Sequence, residues 1–264
     1  MGQMLVVTMR EGIEAFLIVA IAAAYLRKTG REALLPAVWW GTAAALLLSI
    51  VLGAFLAEYA VIPLYEGILA LVAAALVISM VVYMLRSAKH LRRDIGARLE
   101  SAASGPGARL GVFLFVLLMI TREGMELAFV TASLAGQAET AHLLVGAAGG
   151  VLAAAALAVA WIRYGHRVDL ALFFQVTSIF LVLFALQLLF YAFHEFTEAN
   201  ALPIDNAYWH LATEEWAEGT YAQVFSALLV IIPLLWLAVR SRATRRAAPS
   251  RTAGDPRGTG LPRS

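Results

Sequence analysis

Apolar residues run in long, nearly uninterrupted segments along most of the chain, with short polar connections between them. About 20 such residues suffice to carry a helix across a bilayer. The pattern therefore predicts an all-α polytopic membrane protein with seven transmembrane helices, and the lipid bilayer as its immediate partner. In chain order, the predicted spans 1 to 7 are Gln3–Leu26, Leu34–Ala57, Ile62–Leu85, Leu110–Leu134, Leu143–Ile162, Leu170–Phe193 and Tyr221–Val239.

Composition agrees with this prediction. Of the 264 residues, 61% are hydrophobic and 14% are charged, whereas about a quarter of the residues in a soluble domain are charged. The length leaves no room for a second sizeable soluble domain. The absence of cysteine excludes disulfides, thiolate metal sites and iron–sulfur clusters, and we expect no bound organic cofactor.

Basic residues alternate between connections, and this predicts the orientation. The connections after spans 1, 3, 5 and 7 contain arginine or lysine, and those after spans 2, 4 and 6 contain neither. By the positive-inside rule, the N-terminus lies outside and the C-terminus inside, in what we expect to be a bacterial inner membrane. The basic residues thus set orientation, and no nucleic-acid partner is predicted. Residues 1–240 form the membrane domain, and residues 241–264 are predicted to be a disordered, basic cytoplasmic tail.

Two spans carry charges where a membrane helix is expected to be apolar. Arg-Glu-Gly-x-Glu occurs as residues 10–14 in span 1 and as residues 122–126 in span 4. One charge at the bilayer centre costs roughly 2.5–3.5 kcal/mol on insertion scales, so such charges are retained where they pair and face a substrate or ion pathway. On a helix, the Arg and both Glu of each copy share one arc. The intervening Gly is expected to allow close approach of the two motif helices where they cross.

Facing arcs would bring four carboxylates and two guanidiniums together near the bilayer midplane. Four negative and two positive charges sum to −2, which attracts a cation, and oxygen-only ligands favour hard cations such as ferric iron, manganese, magnesium or calcium. The alternative is that these charges are structural salt bridges that hold the bundle together. The predicted metal ligands are Glu11, Glu14, Glu123 and Glu126, with Arg10 and Arg122 as charge partners.

The spacing of the two copies indicates an internal repeat. They lie 112 residues apart in spans 1 and 4, so they cross the membrane in opposite directions. This predicts a 3+3 inverted repeat over about residues 1–86 and 110–194, with a seventh span at about 221–239. Glu66 near the start of span 3 and Gln175 near the start of span 6 form a second, weaker correspondence. Glu66 is predicted to lie on the ion pathway, although interfacial carboxylates also occur near span ends.

The outer connection before span 7 is acidic and lacks basic residues. Glu214, Glu215 and Glu218 occupy positions i, i+1 and i+4 of a helical arc, and they are predicted to capture metal ions outside the membrane. The alternative is a solvated connection that simply follows the positive-inside rule.

The doubled motif within seven spans resembles the oxidase-dependent iron permease family, which includes fungal high-affinity iron permeases and bacterial permeases of ferrous-iron uptake systems. The resemblance covers about residues 1–240. It implies that the four motif glutamates bind iron during translocation, and it extends to Glu66 with Gly67 and to the outer acidic stretch. It further implies a high-affinity iron importer that takes up ferric ion after oxidation by an extracytoplasmic partner, which oxidises or delivers the iron. Homo-oligomers are compatible with this reading.

Other functions stay open from the residues alone. Another hard or heavy divalent metal is an alternative cargo. A haem-bearing membrane oxidoreductase would need histidines inside the spans, and an intramembrane hydrolase would need a nucleophile or an HExxH motif; neither such motif occurs. The sequence places all five histidines in loops or at span ends: His90, His142, His166, His194 and His210.

Overall fold

The computed structural model describes residues 1–87, 91–135, 137, 139–164 and 170–247, and all regular structure in these ranges is helical. The predicted all-α class is thereby confirmed. A short 3₁₀ turn at Glu32–Leu34 precedes the second helix. The α-helices are α1 Gly2–Lys28, α2 Leu35–Tyr59, α3 Pro63–Ser87, α4 Leu91–Ala102, α5 Ala108–Ala135, α6 Thr140–Tyr164, α7 Leu170–Glu198, α8 Asn206–Ala217 and α9 Thr220–Ala247.

Every predicted span coincides with one of the longer helices, namely α1, α2, α3, α5, α6, α7 and α9. Four helical segments of the described chain are both long enough and apolar enough to cross a membrane: Glu32–Tyr59, Pro63–Tyr83, Thr140–Ala160 and Phe174–Glu198. The protein is therefore a membrane protein. Helices α1 and α5 have the length but carry the motif charges, and α9 contributes a shorter apolar stretch, Thr220–Pro233. The total of seven spans and the orientation in the membrane stay predictions.

The helices pair in the way that two inverted repeats would produce. If α1, α2 and α3 correspond to α5, α6 and α7, the pair α2–α5 becomes the pair α6–α1 when the repeats are exchanged. These two pairs, together with α3–α7, are the most extensive helix contacts in the described structure. Because α3–α7 maps onto itself, this pairing supports the predicted repeat.

Small residues allow the paired helices to pack closely. A Cβ added to Gly150 of α6 would lie 2.7 Å from the Leu5 carbonyl oxygen and 2.9 Å from the Met9 amide nitrogen of α1, so backbone meets backbone there. The same holds in the equivalent pair, where a Cβ on Gly41 of α2 would lie 2.8 Å from the Phe113 carbonyl oxygen of α5. Such van der Waals contacts stabilise helix association in lipid, where the hydrophobic effect does not favour contacts between helices.

The prediction for the motif glycines is wrong. Gly12 approaches Ala154 of α6, and Gly124 approaches Ser49 of α2, so neither lies at the crossing of α1 with α5. The reason is helical geometry: the glycine is two positions after the motif Arg, about 200° round the helix and opposite the charged arc. The charges of each motif thus face the other motif helix while its glycine packs against a neighbouring helix.

Replacement of Gly150 by alanine should destabilise the protein, whereas replacement of Gly149 should have little effect. The added methyl at Gly150 meets immobile backbone, and overpacking of this kind costs about 1–3 kcal/mol. At Gly149 the nearest atom is the flexible Leu5 Cδ1, at 3.3 Å. Thermal unfolding of the two variants in one detergent tests this, and equal melting temperatures would show that the α1–α6 contact is looser than described.

Two connections contain helices that the span prediction left out. α4 follows α3 and packs on α1 and α5, where Ile95 and Leu99 are buried. Its Glu100 accepts hydrogen bonds from Arg31 and Tyr25. These bonds link α4 to the connection after α1, at the end of the molecule that carries the basic connections, here called the basic end. At the opposite end, here called the acidic end, α8 lies in the acidic connection between α7 and α9. The helix α9 continues to Ala247, beyond the predicted end of span 7, and the remainder of the predicted tail, residues 248–264, lies outside the described residues.

Candidate metal site

The first motif copy forms a fully buried ion-pair network in the middle of α1. Arg10 Nη1 lies 2.7 Å from Glu11 Oε1, and Arg10 Nη2 lies 2.9 Å from Glu14 Oε1. The three residues are at most 6% exposed. The predicted shared arc is therefore correct for this copy, and one guanidinium bridges both carboxylates.

The second motif copy, on α5, is arranged differently. Arg122 Nε lies 3.4 Å from Glu126 Oε1, and the Arg122 side chain is 35% exposed. Its guanidinium also contacts the Met80 sulfur at 3.2 Å and lies 5.0 Å from the centre of the Tyr83 ring, both on α3. The two sequence-equivalent arginines thus differ in burial and in the number of carboxylates they bind.

Three carboxylates from the two motif helices converge. Oxygen atoms of Glu11, Glu123 and Glu126 all lie within 4.8 Å of one another, and all three residues are buried. Glu11 and Glu126 are each nine residues from the helix ends that lie at the acidic end of the molecule, Gly2 and Ala135. At 1.5 Å per residue this is about 14 Å, close to half of the roughly 30 Å hydrocarbon core. Glu14 belongs to the same region but is directed to Arg10 and does not join the three converging oxygens.

Two oxygens of this cluster lack hydrogen-bond partners. Glu11 Oε2 and Glu123 Oε2 are buried, and neither accepts a hydrogen bond within the described part of the chain. An unsatisfied buried carboxylate oxygen is costly. Hard cations use carboxylate oxygens of this kind as ligands, in groups of several. The cluster therefore has the donor set and the vacant lone pairs for such an ion.

The cluster is enclosed, and the cavities on its two sides differ in size. On the basic side it adjoins a cavity of only about 20 Å³, which is room for about one water molecule. At the acidic end lies a cavity of about 270 Å³, bordered by a hydrogen-bonded group of Gln3, Gln187 and Ser226. The small cavity is lined by Glu14, Arg122 and Glu123 and by the large side chains of Leu17, Ile18, Met80, Tyr83 and Met119.

Glu66 occupies a buried position near the acidic end of α3. Its Oε1 accepts a hydrogen bond of 2.6 Å from the Tyr191 hydroxyl of α7, and Glu195 lies beside the same hydroxyl. Gly67 packs directly against Glu195 and Phe196. The residue is thus inside the bundle and not at its lipid-facing surface. Its predicted counterpart Gln175 lies on the exposed surface of α7, so the two side chains are not equivalent in the structure.

The predicted arc of three outer glutamates is only partly formed. α8 ends at Ala217, and Glu218 has left the helical conformation, with φ −126°. Glu214, Glu215 and Glu218 are all exposed, and of the three only Glu218 has an oxygen among the grouped ligand atoms, within 4.8 Å of His194 and Glu195. Partial burial, reinforced by the nearby Glu198 carboxylate, raises the pKa of the Glu218 carboxyl above its ordinary value.

Sequence reasoning missed a histidine pair beside these acids. α7 runs five residues beyond the predicted end of span 6, so His194 is inside a helix and 1% exposed. Its ring stacks on that of His210 from α8, with 4.6 Å between ring centres. His194 thus lies near the end of α7, and His210 lies in the connection before α9, but both are in helical structure. His90 and His166 lie outside the described residues.

The all-helical membrane fold and the buried charged cluster at its centre are the features of a permease. The iron permease FTR1 family matches residues 1–210 of the chain, and the chain belongs to this family. It is a membrane transporter of the iron permease class and not an enzyme, as the resemblance of the two motifs implied.

Individual relatives agree with the family. The chain is 32% identical to an uncharacterized protein of Archaeoglobus fulgidus over 75% of its own length and 70% of the relative's. It is 32% identical to the ferrous iron permease EfeU of Yersinia pestis, over 72% and 70% of the two chains, and 30% identical to that of Escherichia coli O6:K15:H31, over 74% and 73%. No solved structure matches the chain.

Proposed function

We propose that this permease imports iron across a bacterial inner membrane, and that the ion passes through the carboxylate cluster between α1 and α5. The observation that carries the proposal is the convergence of buried oxygens of Glu11, Glu123 and Glu126 at mid-depth. One oxygen of Glu11 and one of Glu123 have no hydrogen-bond partner in the described structure. Structural salt bridges alone would not require a third carboxylate without an arginine of its own.

The charge and hardness of the cluster favour ferric ion as the species that crosses. Buried carboxylates are hard ligands, and no histidine is among the converging residues. Entry of a trivalent cation down an inside-negative potential gains about 7 kcal/mol per 100 mV, from three charges at ~2.3 kcal/mol each. Relatives are named ferrous iron permeases, so ferrous ion would be the form supplied and oxidation would precede entry. An extracytoplasmic partner that oxidises or delivers iron supplies that step.

The path that we propose begins at the acidic end. Ions collect near Glu214, Glu215 and Glu218, reach the larger cavity and pass Glu66 on the way to the cluster. Release to the inner side then requires the side chains lining the small cavity to move, because that cavity has room for about one water molecule only. With the basic connections inside, the acidic end faces outward and the described conformation has its site closed to the cytoplasm.

Transport by the purified protein in liposomes tests this function. Radioactive iron is offered either as ascorbate-reduced ferrous ion or as ferric citrate, with a potassium-diffusion potential negative inside. We expect saturable ferric uptake that increases with the potential. Uptake confined to the ferrous arm would overturn the ferric assignment.

Manganese is the second candidate cargo, because an all-carboxylate ligand set also suits this ion. A tenfold excess of manganese should leave most of the iron uptake intact. Equal uptake of radioactive manganese would favour a broader metal transporter over an iron permease.

A further inference from the structure

We propose that the acidic end carries a second metal site, formed by His194, Glu198 and His210, which binds a divalent transition-metal ion. One nitrogen of each ring and one oxygen of Glu198 all lie within 4.8 Å of one another. His194 and Glu198 are one turn apart on α7, and His210 comes from α8. This site has imidazole ligands, unlike the carboxylate cluster between α1 and α5.

The hydrogen bonds of Thr213 orient His194 for ligation. The Thr213 hydroxyl lies 2.8 Å from the Trp209 carbonyl oxygen, to which its only proton can be donated. Its oxygen then accepts the bond from His194 Nδ1, at 2.8 Å. With this assignment of the donor, His194 is the tautomer whose Nε2 carries a free lone pair. Metal-binding histidines in proteins are held in the same way, by a partner on the second ring nitrogen.

His210 provides an independent sign of a missing ligand. Its Nδ1 is buried and makes no hydrogen bond within the described structure, although the ring is packed against His194. A buried ring nitrogen without a partner is rare in stable proteins. A metal ion would satisfy it.

The donor set selects the class of ion. Two histidines with one carboxylate and open positions are typical of ferrous iron and similar divalent ions. Bonds of about 2.1 Å place ligand atoms about 3 Å apart, so the stacked rings must rotate to bring both nitrogens onto one ion. Glu198 is exposed, which leaves access from solvent, and oxygens of Glu195 and Glu218 lie within 4.8 Å of a His194 nitrogen. The site therefore receives the reduced ion before it meets the harder carboxylates.

Cobalt(II) is the probe for this site, because its visible absorption reports imidazole ligation. Equilibrium dialysis and absorption titration of the purified, full-length protein in detergent should show one cobalt ion bound by histidine. His210→Gln should remove this absorption and weaken binding of that ion at least tenfold, as should Glu198→Gln, which alters an exposed side chain. His142→Gln is the matched control, since His142 is exposed at the same end and also lies near a carboxylate, Glu139.

The role of Thr213 has its own variants. Thr213→Val should weaken cobalt binding several-fold, because the valine cannot accept the bond from His194 Nδ1, and Thr213→Ser should restore it. Cobalt titrations of Glu198→Gln or folded His210→Gln that match the parent would overturn the proposal, as would an equal loss in His142→Gln. Glu123→Gln should retain the imidazole absorption, so this test is independent of whether the carboxylate cluster transports iron.

Discussion

Iron uptake should fall by about 10- to 100-fold or more when Glu123 is replaced by glutamine. Even residues that only support a metal ligand cost that much when they are changed. Glu123 is the cleanest of the three converging glutamates to alter, because within the described structure no ion pair holds it to an arginine. Its amide variant keeps the shape and removes the charge and the stronger oxygen donor without leaving a guanidinium unpaired.

The control for this experiment is Glu58→Gln at the exposed end of α2, which should transport iron like the parent. Both variants are compared at equal amounts of folded protein in liposomes, using the ferric arm of the uptake assay. Near-parent uptake by Glu123→Gln would mean that the buried charges are structural, which is the alternative that the motif itself left open.

Glu14 shows what helical periodicity can and cannot predict about the ligand set. The shared arc groups it with Glu11, and both carboxylates pair with Arg10, but only Glu11 also converges with Glu123 and Glu126. Periodicity fixes which side of a helix a residue occupies, but not which of two carboxylates on that side meets the carboxylates of the facing helix. That choice depends on the facing helix, here α5 with Glu123 and Glu126. The ligand set could therefore be predicted as a group of four and not resolved further.

The long helices were predictable because bilayer thickness sets their length and lipid requires their apolarity. The shorter helices were not found by a 20-residue window, although local signals exist. Ile95 and Leu99 repeat at the helical spacing in α4, and Asp205 caps α8 by accepting a hydrogen bond from the Tyr208 amide at 3.1 Å. A search of the connections for such signals would have predicted a helix that contains His210.

The pairing of His194 with His210 lay beyond sequence reasoning for a different reason. The two residues are 16 positions apart and on different helices, and their contact follows from the turn between α7 and α8. Asn200 in that turn adopts φ 53°, a left-handed conformation that asparagine tolerates at the end of a helix. A single sequence shows that such a turn is allowed. It does not show the angle between α7 and α8, on which the contact of the two histidines depends.

Arg10→Ala should destabilise the protein far more than Arg122→Ala, although the two arginines are equivalent in sequence. Arg10 is buried and bridges Glu11 and Glu14, so its loss leaves two buried carboxylates without their bonded cation, at a cost of about 3–5 kcal/mol. Arg122 is 35% exposed and makes one ion pair, of 3.4 Å, with the buried Glu126, so solvent screens part of its charge and its loss should cost less than the loss of Arg10.

The midpoint of thermal unfolding in a single detergent measures this difference, with Arg10→Lys as a third variant. Lysine keeps the charge but has one compact ammonium in place of a planar fork, so it should satisfy one carboxylate and fall between the parent and Arg10→Ala. If Arg122→Ala melted as early as Arg10→Ala, the two motif copies would be energetically equivalent, and the asymmetry described for them would be wrong. The expected order instead assigns Arg10 to holding the α1 carboxylates in place and leaves Arg122, beside the small cavity on the basic side of the cluster, free to change partners.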